Sequence, residues 1–321
     1  MAALPFIAMD DAGKFHVTED AAKELSKLEG PLVVVAVAGM YRTGKSFLLN
    51  QLRGPSLQGS QAFKVGPTVE ACTKGIWLWG QGVPITLANG TKATMVLMDT
   101  EGIGGTKAST DYDARIFSLA TLICSLLVYN SLGSIDENAI GMLSFVAQLT
   151  KHVRVNGRDK SEGVGAREEE EYEEEEEEGE DLGLFFPSFI WCVRDFTLQL
   201  CGTDGRPITA RTYMENSLEV TSGFDQKQLE RNRIRAMLTS FFRDRDCVTL
   251  ARRLLYSCSC TPTIHDFTRL LRVGEDRIHE CHEAACPCEK RAKQLAARGL
   301  LGLSLSNPSS CEICYYRKAE N

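Results

Sequence analysis

The feature that most constrains the fold of this chain is a glycine-rich loop placed between a strand pattern and a helix pattern. Residues 39–46 read G-M-Y-R-T-G-K-S, which is the pattern G-x-x-x-x-G-K-S. The apolar, β-branched run Leu32 to Ala38 precedes the loop, and residues 44–52 have the apolar spacing of a helix. Glycines allow such a loop to curl so that its backbone N–H groups point at a phosphate chain. The order strand, loop, helix therefore predicts a phosphate-binding α/β domain, and the alternative is a glycine-rich turn without a ligand.

Side chains of the loop supply groups that a magnesium nucleotide requires. Lys45 is predicted to reach the β and γ phosphates, and the Ser46 hydroxyl is predicted to bind Mg²⁺. Further nucleotide contacts are predicted for the other positions of the loop and the start of the helix, namely Gly39, Tyr41, Arg42, Thr43, Gly44 and Phe47. If the loop binds a nucleotide, the remaining parts of such a site should follow downstream.

A second motif, D-x-x-G, supplies those parts. Asp99 to Gly102 follows an apolar strand pattern; a carboxylate there can hold a Mg²⁺-bound water while the N–H group of Gly102 meets the γ-phosphate. Alone the motif is weak, because an Asp after a strand is often a turn or helix cap. Between the two motifs, the polar loop Thr68 to Gly75 carries Thr73, a candidate second Mg²⁺ ligand whose alternative is a solvated threonine. The predicted metal ligands are thus Ser46, Thr73 and Asp99.

Short β-branched runs alternate with helical patterns along the chain. Five runs are predicted as strands of a mostly buried sheet: Leu32 to Ala38, Gly75 to Trp79, Thr94 to Met98, Leu122 to Tyr129 and Ser188 to Val193. Helices are predicted at Asp20 to Leu28, Gly44 to Leu52, Asp111 to Leu119, Ile135 to His152 and Asp225 to Phe242. This order predicts the α/β fold class, a doubly wound, mostly parallel sheet with helices on both faces. We place this domain at residues 1–255.

Negative charge is concentrated in one segment. Residues 168–181 hold 12 acidic residues in 14, and removing them from the net charge of −7 leaves +5. Such a run cannot bury apolar surface, so residues 157–183 are predicted to be a solvated, disordered loop inserted into the domain. A charged interaction segment is the alternative. The small positive balance of the remainder gives no independent case for nucleic acid as a partner.

The last segment, residues 256–321, has a different character and no predicted fold. Seven of the 12 cysteines lie between Cys258 and Cys314, and together with His282 they invite a zinc interpretation. Only the pair Cys311 and Cys314 has the usual C-x-x-C spacing, so a poorly ordered tail is the alternative.

Four segments resemble the guanylate-binding proteins, large GTPases related to dynamins and atlastins. They are PLVVVAVAGMYRTGKSFLLNQL, VEACTKGIWLW, MVLMDTEGIGG and FFPSFIWCVRDF, which look like the P-loop, switch I, switch II and base-recognition segments of that family. The resemblance runs from about Pro5 to Arg253. It implies a large GTPase domain that binds GTP with Mg²⁺, hydrolyses it, and forms a nucleotide-dependent homodimer.

The resemblance also assigns roles to single residues. Arg42 resembles an internal arginine finger that turns toward the γ-phosphate on head-to-head dimerisation, and its alternative is a solvated loop arginine. Asp195, next to Arg194, resembles the carboxylate that accepts from the N1–H and N2 amine of guanine, and its alternative is a cap at a strand end. Thr73 resembles the Mg²⁺-binding switch threonine. Glu101 resembles the switch II glutamate that helps to order the attacking water.

Two departures from the family pattern leave rival functions open. Family members with well-developed hydrolysis usually carry a serine where this chain has Ala71, and no long helical bundle like that of the family is predicted in residues 256–321. The rivals are a GTP-binding switch or decoy with little hydrolysis, and an interaction protein that acts through the acidic loop and the cysteine-rich tail. Without a signal peptide, an apolar run of about 18 residues or a prenylation box, the chain is predicted to be cytoplasmic, with no integral membrane segment or lipid anchor.

Overall fold

An eight-stranded mixed sheet forms the frame of the protein. The computed structural model describes residues 2–53, 62–65, 73–87, 90–105, 110–143, 186–223 and 225–250. The strands are β1 Leu4–Met9, β2 Phe15–Val17, β3 Leu32–Gly39, β4 Ile76–Thr86, β5 Lys92–Thr100, β6 Leu126–Leu132, β7 Ser188–Arg194 and β8 Arg245–Leu250. The helices are α1 Glu19–Ser26, α2 Lys45–Leu52, α3 Thr110–Ile123, α4 Glu137–Gly141, α5 Ala210–Leu218 and α6 Gln226–Phe241.

The strand order places β3 near the middle of the sheet. The order is β2-β1-β4-β5-β3-β6-β7-β8. Strands β5, β3, β6, β7 and β8 are parallel to one another, whereas β4, β1 and β2 add an antiparallel edge. The carboxyl ends of the parallel strands therefore meet at one edge, which is where ligands bind in open α/β sheets.

Both faces of the sheet are covered, because successive side chains of β3 point to opposite faces and all of them are buried. Every residue of β3 is buried, with Val34 and Ala36 in one core cluster and Val35 and Val37 in the other. Helix α2 packs in the second cluster, whereas α1, α3, α4, α5 and α6 contribute to the first. The predicted fold class is therefore confirmed.

Several predicted boundaries were wrong. Strand β4 ends at Thr86 and not at Trp79, and α3 ends at Ile123 and not at Leu119. Helix α4 ends at Gly141, whereas the helix was predicted to continue to His152. The strand predicted from Leu122 begins at Leu126, because Leu122 and Ile123 form the last turn of α3. An apolar run that passes from a buried helix into a buried strand shows no break in period. The helix predicted from Ile135 begins at Glu137, since the Asp136 carboxylate caps it by accepting from the N–H groups of residues 138 and 139.

Some elements were not predicted, and some predictions fall outside the described residues. Strands β1, β2 and β8 and helix α5 were not predicted. The predicted acidic loop at 157–183, the tail at 256–321 with its zinc interpretation, Ala71 and residues 144–152 of the predicted helix all lie outside the described part of the chain.

Candidate nucleotide-binding site

The loop at residues 39–46 leaves the carboxyl end of β3 and enters α2 through two glycines that no other residue could replace without strain. Gly39 and Gly44 have φ angles of 146° and 80°. A β-carbon on Gly39 would lie 2.2 Å from the Asn130 carbonyl oxygen, and one on Gly44 would lie 2.3 Å from Arg194 Nη1. The loop is therefore packed directly against the ends of β6 and β7.

Two side chains from those strands hold the loop through one carbonyl group. The Thr43 carbonyl oxygen accepts from Asn130 Nδ2 at 3.0 Å and from Arg194 Nη1 at 2.9 Å. Arg194 Nη1 also donates to the Gly44 carbonyl oxygen at 3.2 Å, and the guanidinium lies 5.6 Å from the centre of the Phe47 ring. A role for Asn130 was not predicted from the sequence. The feature that could have indicated it is a polar residue near the carboxyl end of a buried strand.

Lys45 places an ammonium group in the interior at the start of α2. The residue is 7% exposed, and its Nζ donates to the Met40 carbonyl oxygen at 3.2 Å. Burial lowers the pKa of Lys45, and the nearby charges of Asp99 and Glu101 oppose that shift. Bound phosphate would add further negative charge and favour the ammonium form.

The three predicted metal ligands meet at one carboxylate. Asp99 Oδ2 accepts from Ser46 Oγ at 2.6 Å and from Thr73 Oγ1 at 3.0 Å. Asp99 is 1% exposed, and its other oxygen, Oδ1, is buried without a hydrogen-bond partner among the described residues. Burial raises the pKa of Asp99, against the hydrogen bond from Ser46, the charge of Lys45 and the hydrogen bond from Thr73.

This donor set fits a hard divalent cation. Two hydroxyls and a carboxylate are oxygen ligands of the kind that Mg²⁺ prefers, and the unpartnered Oδ1 of Asp99 is a buried acceptor that a cation or its water would satisfy. Within the described ranges, no group of three or more His, Cys, Asp or Glu could hold a metal ion. A cation at Asp99 would therefore take its remaining ligands from phosphate oxygens and water.

The D-x-x-G segment lies directly against the loop. Ile103, which follows Gly102, is paired with the start of the loop: the Tyr41 N–H donates to the Ile103 carbonyl oxygen at 2.9 Å, and the Ile103 N–H donates to the Gly39 carbonyl oxygen at 3.1 Å. A β-carbon on Gly102 would lie 3.0 Å from Lys45 Nζ. The backbone of Gly102 is thus adjacent to the ammonium group predicted to meet the γ-phosphate.

Glu101 is tied to the residue that precedes β4. Its backbone N–H donates to the Gly75 carbonyl oxygen at 2.8 Å, and its Oε2 accepts from the Gly75 N–H at 2.9 Å. The same Oε2 accepts from the Tyr112 hydroxyl at 2.7 Å. Tyr112 had no signal in the sequence, because nothing in its local pattern points to a partner eleven residues away.

Arg42 and Asp195 share an unusual backbone conformation. They are the non-glycine residues with positive φ in the described part of the chain, at 64° and 55°. A left-handed conformation costs a residue with a β-carbon roughly 1–2 kcal/mol. Arg42 is exposed on the loop, and Asp195 is half-buried directly after β7. Strained residues of this kind cluster at ligand sites.

The sheet and the loop between β3 and α2 define an α/β protein with a P-loop fold. Residues 12–257 match the family model described as "Guanylate-binding protein, N-terminal domain". The chain therefore belongs to the guanylate-binding-protein family.

Three relatives illustrate the extent of the similarity. The chain is 39% identical to human guanylate-binding protein 2 over 236 residues, which are 73% of this chain and 36% of that protein. It is 38% identical to mouse guanylate-binding protein 7 over 240 residues, 74% of this chain and 34% of the relative. Its identity to human guanylate-binding protein 7 is 38% over 266 residues, 83% of this chain and 37% of the relative. The chain thus spans little more than a third of the length of these relatives.

No described helix combines the length and the apolar character that crossing a membrane requires.

Proposed function

We propose that this chain binds GTP together with Mg²⁺ and hydrolyses it to GDP and phosphate. The observation that carries the proposal is the meeting of Ser46, Thr73 and Asp99 beside the buried ammonium of Lys45, next to a loop whose glycines allow it to pack against β6 and β7. A buried lysine and a buried carboxylate with an unpartnered oxygen are costly unless a ligand uses them. Membership of the guanylate-binding-protein family supports the same assignment.

Each part of the triphosphate would meet a different group. The backbone N–H groups of residues 42–46 and the Lys45 ammonium would bind the phosphates, while Ser46, Thr73 and Asp99 would hold the cation. Mg²⁺, when bound, supplies positive charge that neutralises the β- and γ-phosphate oxygens. Gly102 is close enough to Lys45 for its N–H group to bind the γ-phosphate.

Selection of guanine is assigned to Asp195. Its carboxylate could accept from both the N1–H and the N2 amine of guanine, a pair of donors that adenine lacks. Two facts support this assignment: Asp195 follows β7 at the sheet edge where the loop lies, and the adjacent Arg194 bonds to the loop backbone.

Hydrolysis is assigned to Glu101 and Arg42. Glu101 would accept a hydrogen bond from the attacking water, and no covalent intermediate is required, because positioning and charge neutralisation carry phosphoryl transfer. Arg42 is exposed on the loop, so a second copy of the chain docking there could turn its guanidinium toward the γ-phosphate. Sedimentation with a non-hydrolysable GTP analogue tests the homodimer, and a strictly monomeric complex would count against it.

A binding and product assay tests the proposal. GTP and ATP are each titrated with Mg²⁺ and with EDTA, and GTP products are separated by chromatography. We expect GTP binding that requires Mg²⁺, release of GDP, and loss of both in Lys45→Ala. Lys23→Ala is the matched control, since Lys23 is a surface residue of α1, 68% exposed in an ion pair with Glu19. Equal binding of ATP, or binding that survives in Lys45→Ala, would refute the proposal.

The rivals predict different results in the same assay. A GTP-binding switch would bind GTP tightly with almost no turnover, and Ala71→Ser would then raise the rate. An interaction protein acting through its acidic and cysteine-rich segments would show no GTP binding that depends on Lys45. The cytoplasmic location and the absence of a nucleic-acid partner stay predictions.

A further inference from the structure

We infer that Tyr112 is a positioning residue for GTP hydrolysis, which fixes the Glu101 carboxylate by donating a hydrogen bond to it. This inference rests on the proposed function, because it assigns a task to Tyr112 through Glu101. It extends the site to α3, a helix to which neither the loop motif nor the D-x-x-G motif assigns a role.

Among the described residues, the side-chain hydrogen bonds of Glu101 all fall on one carboxylate oxygen, Oε2. Oε2 accepts from the Gly75 N–H at 2.9 Å and from the Tyr112 hydroxyl at 2.7 Å. The Glu101 N–H donates to the Gly75 carbonyl oxygen at 2.8 Å, so the backbone at Glu101 is fixed as well. Oε1 is then the oxygen that can accept from a water, and its direction is set by the two donors on Oε2.

Tyr112 is itself held in place. It lies in the first turn of α3, half-buried, with its ring centre 5.7 Å from that of Phe15. The guanidinium of Arg115 lies 4.8 Å from the centre of the same Phe15 ring. One residue further on, the Asp113 carboxylate accepts from the Gly104 N–H at 2.7 Å, which ties the start of α3 to the D-x-x-G segment a second time. The hydroxyl therefore reaches Glu101 from a fixed position.

The ionisation of Tyr112 suits a permanent donor. Burial, the hydrogen bond to Glu101 and the charge of Glu101 all raise the pKa of Tyr112 above its ordinary value. The phenol consequently remains protonated at neutral pH and can only donate to the carboxylate. A flexible glutamate held in this way loses less conformational freedom when the attacking water is positioned.

Tyr112→Phe tests the inference, because it removes the hydroxyl and keeps the ring against Phe15. In steady-state GTP hydrolysis, kcat should fall by roughly tenfold and KM should change by less than about twofold. The expected loss of kcat is smaller than the 10²-fold that a misplacement of the reacting groups by about 1 Å can cost. Ser118→Ala is the matched control on the same helix, since the Ser118 hydroxyl donates only to the Ala114 carbonyl oxygen. It should keep kcat. Circular dichroism verifies folding, and Tyr112→Leu, which also lacks the hydroxyl, should repeat the loss.

A double-mutant cycle separates positioning from a general structural effect. In a Glu101→Ala background, Tyr112→Phe should cause no further loss of kcat, because its effect passes through Glu101. An unchanged or increased kcat in Tyr112→Phe, or an equal loss in the Glu101→Ala background, would overturn the inference and leave the proposed function intact. A wild-type chain that binds GTP with Mg²⁺ and does not hydrolyse it would overturn both.

Discussion

The hydrogen bonds to the Thr43 carbonyl group can be removed one at a time, which destabilises the loop at residues 39–46 in two separate steps. Its oxygen accepts from Asn130 Nδ2 at 3.0 Å and from Arg194 Nη1 at 2.9 Å. Asn130→Ala removes a neutral donor worth about 1 kcal/mol, and Arg194→Ala removes a charged donor worth about 2 kcal/mol. Either donor alone keeps the oxygen paired. Loss of both adds the cost of an unpaired buried carbonyl, about 1–3 kcal/mol, so the two changes should not be additive.

Urea unfolding of the wild type, both single variants and the double variant measures this coupling. We expect the free energy of unfolding of the double variant to fall below the additive value by about 1 kcal/mol or more. Calorimetry should show that the Kd for GTP rises by about tenfold for each 1.4 kcal/mol by which the loop at residues 39–46 is destabilised. Ser131→Ala is the matched control: it removes the acceptor of Trp191 Nε1 at 2.8 Å, one residue along β6, and should reduce stability without weakening GTP binding. Strict additivity, together with an unchanged Kd in the double variant, would show that the two donors do not hold the loop through a shared carbonyl group.

Three further predictions concern the metal ligands, pH and the loop backbone. Thr73→Ala should lower Mg²⁺-dependent GTP binding by about tenfold or more, whereas Thr73→Ser should retain it, because only the hydroxyl is required; calorimetry at fixed Mg²⁺ measures both. In the nucleotide-free protein, burial raises the pKa of Asp99, so the folded chain keeps a proton that the unfolded chain releases with a pKa of 3.8. Asp99 therefore lowers the free energy of unfolding as the pH rises from 3.8 through the pKa of the folded state. Asp99→Asn should remove that part of the slope in urea titrations, and an identical slope would contradict the burial of the carboxylate. Gly44→Ala should destabilise the fold by about 1–3 kcal/mol and abolish GTP binding, since the methyl group would meet Arg194 at φ 80°. Gly90→Ala, at φ 82° with no atom of the described residues within 4 Å of the added methyl group, should share the strain and leave binding unchanged.

Local sequence order determined how much of the site could be predicted. The loop between β3 and α2 is continuous in sequence, so its glycines, Lys45 and Ser46 were visible as a motif. Asp99 was predictable because β5 is a buried strand and a carboxylate follows its apolar run. The pairing of Ser46 and Thr73 on a single oxygen of Asp99 matches the metal-ligand set expected from the sequence, although their role in binding Mg²⁺ stays a proposal.

The parts that could not be predicted depend on which strands are neighbours. Asn130 contacts the loop because β6 pairs with β3, and the two partners of that hydrogen bond lie 87 residues apart. Strand β1 was not predicted because Pro5 interrupts its strand signal, and β2 was not predicted because it has only three residues. Tyr112 reaches Glu101 only because α3 returns to the D-x-x-G segment. Contacts made by tertiary packing leave no trace in local spacing.

The central claim is that the loop at residues 39–46 and Asp195 belong to one guanine nucleotide site. Calorimetric titration of the purified chain with GTP and with ATP, in the presence of Mg²⁺, measures this directly for the wild type and for Asp195→Asn. We expect the wild type to bind GTP and not ATP, and Asp195→Asn to lose its affinity for GTP. Absence of heat on adding GTP to the wild type, or an Asp195→Asn variant that still prefers GTP, would contradict it.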